Sequence, residues 1–177
     1  MRTVLRDGER EAEKFRATVH VEDALVRNAL YQLVDYWPSG KGAGRRFSVR
    51  FGILGRAWRL GYSLYASDVP VSEDRGGRQR MKDVDGEKAL IEQWGMTRAQ
   101  ARTAATGQRS FVCIVLHDEG QRVGILYMDA QPARAFDGDI DGRCDAAPAT
   151  RELAGAVGRV RKGVATKGPG IKLLDED

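Results

Sequence analysis

At 177 residues, with 42% hydrophobic and 31% charged side chains, the chain holds enough apolar material for one domain with its own core. Its 29 basic and 25 acidic residues leave a net charge of +4, and the acids are interspersed among the bases, against the concentrated basic face of a nucleic-acid binder. No apolar run approaches the roughly 20 residues needed to cross a bilayer, the N-terminus lacks a signal-peptide core, and Cys113 and Cys144 are too few for a disulfide framework, so a cytoplasmic setting without a membrane span is expected.

Residues 1–14 are charged and irregular, a linker or the end of a helix. From Phe15 to Glu22 apolar and polar side chains alternate, the period of a half-buried strand. Asn28 to Trp37 reads as a second strand stopped by Pro38, although its spacing also permits a short helix. A loop of glycines and basic residues runs from Pro38 to Arg46. Arg56 to Leu60 suits a short helix closed at Gly61, where a left-handed cap favours glycine. Tyr62 to Ser67 follows as a third strand.

Ser72 to Gly86 carries almost no apolar side chain beyond Met81 and Val84, which predicts a mobile surface loop. Glu87 to Trp94 is a helix candidate, with Asp85 as N-cap and Gly95 as its stop. Thr97 and Gln100 have capping-box spacing and predict a second short helix. Two apolar runs, Arg109–Leu116 and Arg122–Asp129, then form a hairpin across the short segment from His117 to Gly120. Leu153, Val157, Val160 and Val164 make a narrow stripe on a C-terminal helix, of the kind used in coiled coils. That helix should end near Gly168-Pro169-Gly170, before an acidic tail.

Chemistry-bearing residues are sparse. Cys113 lies within an apolar strand, either a small hydrophobe or a redox-responsive thiol, with Arg109 as the local cation for a thiolate. Asp137, Asp139 and Asp141 match the first half of a calcium loop, with Asp145 at its ninth position, but Pro148 stands where the closing glutamate belongs. A polar turn is the plainer reading. Lys41, Arg45 and Arg46 in the glycine loop invite comparison with a phosphate cradle, without P-loop order. His20 and His117 sit on separate strands with no carboxylate motif nearby. No catalytic constellation is recognisable, so the expectation is a chain that is not an enzyme. Trp58, Tyr65, Trp94, Phe111 and Tyr127 are core residues or the walls of an aromatic pocket, with Arg59, Asp68 and Arg109 as its polar anchors.

The order Gly52-Ile53-Leu54-Gly55, Ala57, Gly61, Tyr65, Asp68-Val69, the run Arg109–Leu116, then Gly124–Asp129 and Phe136 resembles the GAF domain family from about Phe15 to Val164. The resemblance implies an α+β fold. Its central antiparallel sheet has about five to six strands, with terminal helices on one face and a pocket roofed by loops and helices on the other. It implies a domain over residues 15–167 with a tail at 168–177, and Ser72–Gly86 as a lid. The implied role is a regulatory sensor of an unknown small molecule, without nucleic acid, dimerising through its terminal helices and acting on an output domain or partner. On that picture Arg59, Tyr65, Asp68, Trp94, Arg109, Phe111 and Cys113 touch the ligand, and Leu153, Val157, Val160 and Val164 form the dimer interface. The cofactor is unknown: the Asn-Lys…Phe…Asp-Glu pattern of cyclic-nucleotide binders, the chromophore cysteine and the several cysteines of sulfoxide-reducing members are missing. A ligand-free dimerisation module and a thiol redox enzyme using Cys113 are the alternatives.

Overall fold

A computed structural model describes residues 15–38, 40–66, 72–73, 79–80, 84–103, 108–136 and 139–166. In chain order the elements are strands β1 (Phe15–Glu22), β2 (Ala29–Gln32) and β3 (Arg46–Ser48), helix α1 (Gly52–Leu60), strands β4 (Leu64–Ala66), β5 (Ser72–Glu73) and β6 (Gln79–Arg80), and helices α2 (Val84–Trp94) and α3 (Arg98–Thr103). Strands β7 (Ser110–Asp118) and β8 (Gln121–Ala130) and helices α4 (Ile140–Ala146) and α5 (Pro148–Thr166) complete the chain. Six strands form one antiparallel sheet in the order β3-β2-β1-β8-β7-β4, and β5 pairs with β6 apart from it. This is the α+β architecture expected.

The β7–β8 hairpin is the spine of the sheet. Its strands extend further than the apolar runs suggested, leaving only Glu119 and Gly120 to turn. Both have positive φ, 50° and 76°, the geometry of the hairpin turn that matches strand twist. The period-2 alternation then sorts side chains between two faces. Phe15, Ala17, Val19, Val21, Val112, Ile114, Leu116 and Met128 share one core with Phe136, Ile140 and Cys144, and with Ala154 and Val157 of α5. On the other face Leu30, Cys113, Val115, Ile125 and Tyr127 pack under Ile53, Ala57 and Trp58 of α1. The sheet is therefore covered on both sides.

Several boundaries differ from expectation. The second strand stops at Gln32, and the chain swings so that Ala17 and Trp37 exchange two backbone hydrogen bonds of 2.8 Å. A strand the sequence hid, β3, runs out of the basic loop, held by backbone pairing to β2. Helix α1 starts at Gly52, four residues early, and ends as expected at Gly61, whose φ of 74° lets its N–H reach Ala57 O at 2.9 Å. Part of the expected loop from Ser72 to Gly86 is ordered as β5, β6 and the first turn of α2. Its other residues, like 1–14 and the tail, lie outside the described residues.

Two readings are corrected here. The calcium-like segment is helical from Ile140 onward, so Asp141 lies inside α4 and Asp139 just before it; Asp137 is outside the described residues. The α5 stripe is not one surface. Val157 is buried in the domain's own core and Leu153 packs beside it, whereas Val160 is 47% exposed. Val157 faces the sheet because α5 lies directly on β7 and β8. The side chain of Val164 is outside the described residues.

Candidate ligand-binding site

The alternation that buries Phe15, Ala17 and Val19 under α5 places Arg16, Thr18 and His20 on the opposite face. Antiparallel register sets Arg16 across from Asp129 and Thr18 across from Tyr127. Arg16 grips Asp129 with both arms of its guanidinium, Nε to Oδ1 at 2.9 Å and Nη2 to Oδ2 at 2.8 Å. Burial pushes the Asp129 carboxyl up from its ordinary range, while Arg16 and the Tyr127 hydroxyl, both bonded to it, pull it back. The bidentate guanidinium offsets part of the desolvation of the carboxylate. The Arg16 guanidinium also lies 4.4 Å from the Tyr36 ring centre.

His20 is fully buried, yet neither ring nitrogen has a hydrogen-bond partner. The ring meets Phe47 edge-on at 5.0 Å between centroids and Tyr127 at 6.0 Å. An imidazole shut away from water with both nitrogens unmet costs about 1–3 kcal/mol for each group left unpaired. Burial, with the nearby positive charge of Arg45 second, lowers its pKa to about 4, so the ring is neutral at physiological pH.

Gln32, opposite His20 in register, is fully engaged. Its Nε2 donates to Thr18 Oγ1 and Val34 O, each at 3.1 Å, and its Oε1 accepts from Arg45 Nε at 3.1 Å and Nη2 at 2.8 Å. Arg45 thus hangs over the face, 5.5 Å from the Tyr36 ring centre and 5.7 Å from that of Phe47. No carboxylate among the described residues forms an ion pair with it. A Cβ at Gly42 would stand 2.2 Å from Arg45 Nη2, so this backbone must be bare for the guanidinium to reach Gln32. Asp35 accepts the N–H groups of Gly42 and Ala43 at 2.8 and 2.9 Å.

Of the residues expected to touch a ligand, Phe111, Cys113 and Trp94 do lie on this face, with Phe111 6.3 Å from Tyr127. Arg59 is exposed on α1 and donates to Val49 O. Tyr65, 37% exposed, alternates with Leu64 and Ala66, which pack inward. Arg109 is half-buried at the entrance to β7, its N–H bonded to Ala130 O at 2.9 Å, and Asp68 is outside the described residues. Cys113 is wholly buried and burial pushes its thiol up, the reverse of what a thiolate nucleophile needs. Cys144 belongs to the core on the other side of the sheet.

Sequence reasoning missed Arg16, Thr18, Gln32, Tyr36 and Asp129, and read Arg45 only as part of a basic loop and His20 only as an isolated histidine. A polar row on an alternating strand reads as solvent-facing until a second layer is known to cover it. A separate concavity of about 390 Å³ opens at the β4 edge, lined by Tyr62, Ser63, His117, Asp145, Thr150 and Arg151. There Ser63 Oγ bonds Asp145 Oδ1 at 2.9 Å.

Solved structures share this fold. The GAF domain of an Acinetobacter phosphoenolpyruvate-protein phosphotransferase matches with a TM-score of 0.55 over 85% of this chain and 75% of its own, at 8% identity. The GAF domain region of a Geobacter sulfurreducens protein matches with 0.51 over 81% of both chains, at 18% identity. The fold is GAF-like. No protein-family model and no curated protein matches the chain. The GAF-like fold is also that of the free methionine-R-sulfoxide reductase from Neisseria meningitidis, solved with its substrate, at a TM-score of 0.53, 17% identity, and coverage of 84% of this chain and 71% of that one. That likeness overturns the expectation of a chain that is not an enzyme. An enzyme is built on this fold, and at such identity the likeness speaks for the fold alone.

Proposed function

We propose that residues 15–167 form a GAF-like regulatory domain that binds a small molecule on the sheet face between His20, Tyr127 and Phe111. The observation carrying this reading is the His20 ring, fully buried with both nitrogens unmet. Native proteins rarely leave such groups unpaired unless something else is meant to pair with them. The surroundings fit a ligand site, being aromatic walls with a few convergent polar groups. Helices α2 and α3 roof the same face, with Leu90 and Ala101 packed beside Phe111 and Trp94.

Transmission follows from the layering. Strands β7 and β8 carry Phe111, Cys113 and Tyr127 on the ligand face and support α5 on the other. A ligand that favours one packing of these strands shifts α5 by as much as its affinities for the two packings differ. The test is a thermal-shift screen of a metabolite library on wild type and His20→Leu. At least one compound should stabilise wild type and leave the variant unmoved. Hits that stabilise both equally would remove His20 from the site.

A further inference from the structure

We infer that the ligand is a carboxylate-bearing small molecule, its anionic group received by Arg45 beside the His20 ring and its apolar part by Tyr36, Phe47 and Tyr127. The inference rests on the site proposed above and adds the ligand's chemical class. Among the described residues, Arg45 is the charged group that acts on the ring, and it makes no ion pair, although its charge is also felt by the Asp35 carboxylate of the neighbouring turn. Arg16 is held by Asp129, Arg46 by Asp23 and Glu22 by Arg161. Tyr36, Tyr127 and Cys113 are kept neutral, because burial raises all three. Arg45 is held by neutral partners, the Gln32 amide, the Gly42 carbonyl and the Tyr36 hydroxyl.

A guanidinium fork facing only neutral acceptors is matched to a planar carboxylate, which exchanges weak bonds for charge-assisted ones. His20 complements it as a second donor. Arg45 and His20 meet the same Phe47 ring, at 5.7 and 5.0 Å, and Arg45 is near enough for its charge to act on the imidazole. A carboxylate there offsets the Arg45 charge that disfavours a protonated ring. The proton enters from solvent onto His20 as the anion binds, and binding strengthens as pH falls toward about 4, the value of the free ring.

The experiment is calorimetric titration of the full chain with benzoate and its neutral isostere benzamide, and with acetate and acetamide. Ionic strength is held constant at pH 5.5 and 7.5, and the His20 ring resonance is followed alongside. The carboxylates should bind at least tenfold more tightly than the amides and tighten by up to tenfold per unit of acidification. Arg45→Gln should abolish that preference, and Arg45→Lys should keep part of it. Equal binding of acid and amide, or an unweakened Arg45→Gln, overturns the assignment. Amides that move the His20 ring while carboxylates do not overturn the anion but keep the site. If no probe moves the ring, both fall.

Discussion

Replacing His20 with leucine should make the unliganded protein more stable, and increasingly so in acid. The two side chains are close in volume, so the strand and its neighbours need little adjustment. At pH 7.5 the change removes unmet ring nitrogens, a gain of about 2 kcal/mol, and forfeits aromatic edge contacts with Phe47 and Tyr127, a loss of about 1 kcal/mol. The net is about 1 kcal/mol in favour of the variant.

Acid adds a second term with a definite sign. The folded ring titrates at about 4, below its ordinary 6.5, so between those values the unfolded chain binds the extra proton. Wild type is therefore fully stable above about 6.5 and loses stability as pH falls through the window, by about 2.5 kcal/mol between pH 7.5 and 4.5. The leucine variant lacks this loss. In a chain of this size the melting-temperature gap should widen from about 3 °C at pH 7.5 to about 10 °C at pH 4.5. Thermal unfolding followed by circular dichroism across that range reads it directly. A gap that stays constant, or a variant less stable throughout, would refute the reasoning.

Other expected outcomes concern the supporting structure. Arg16→Met should cost about 2–3 kcal/mol in urea unfolding, less than a fully buried pair because Arg16 is 36% exposed, and Asp129→Asn added to it should restore part of the loss. Val157→Asp should destabilise by about 3–5 kcal/mol, whereas Val160→Glu should stay within about 0.5 kcal/mol of wild type. Light scattering on Val160→Glu then reads any dimer made through α5: monomers would place an interface at Val160, and an unchanged dimer would exclude it. Both cysteines are buried, so neither should react with a thiol reagent before unfolding. A rapid one-thiol reaction in native buffer would contradict that burial.

Much of the fold was legible because the chemistry that builds it is local. The alternation from Phe15 to Glu22, the paired apolar runs around Gly120 and the glycine stop at Gly61 each specify an element by themselves. Strand β3 was hidden because Arg46, Phe47 and Ser48 form a strand only through pairing with β2, a contact remote in sequence. Helix α4 was hidden because its aspartates and glycine read as a turn. The site was the least legible part. Arg16, Thr18 and His20 carry the pattern of an exposed face, and only the layer of Tyr36, Arg45 and Phe47 above them turns that face into an interior. Their partners, Asp129 across β8 and Gln32 across β2, are set by register, which spacing within one strand cannot give.

The chain contains only two histidines, and they report on two places. His20 lies at the centre of the proposed site, and His117 is exposed and lines the concavity at the β4 edge. The most direct measurement is a carbon–proton correlation spectrum of the two imidazole rings during titration with each compound that stabilises the protein. The account predicts that the His20 resonance moves saturably while that of His117 stays fixed. Movement of His117 alone, or a stabilising ligand that leaves His20 unchanged, would contradict it.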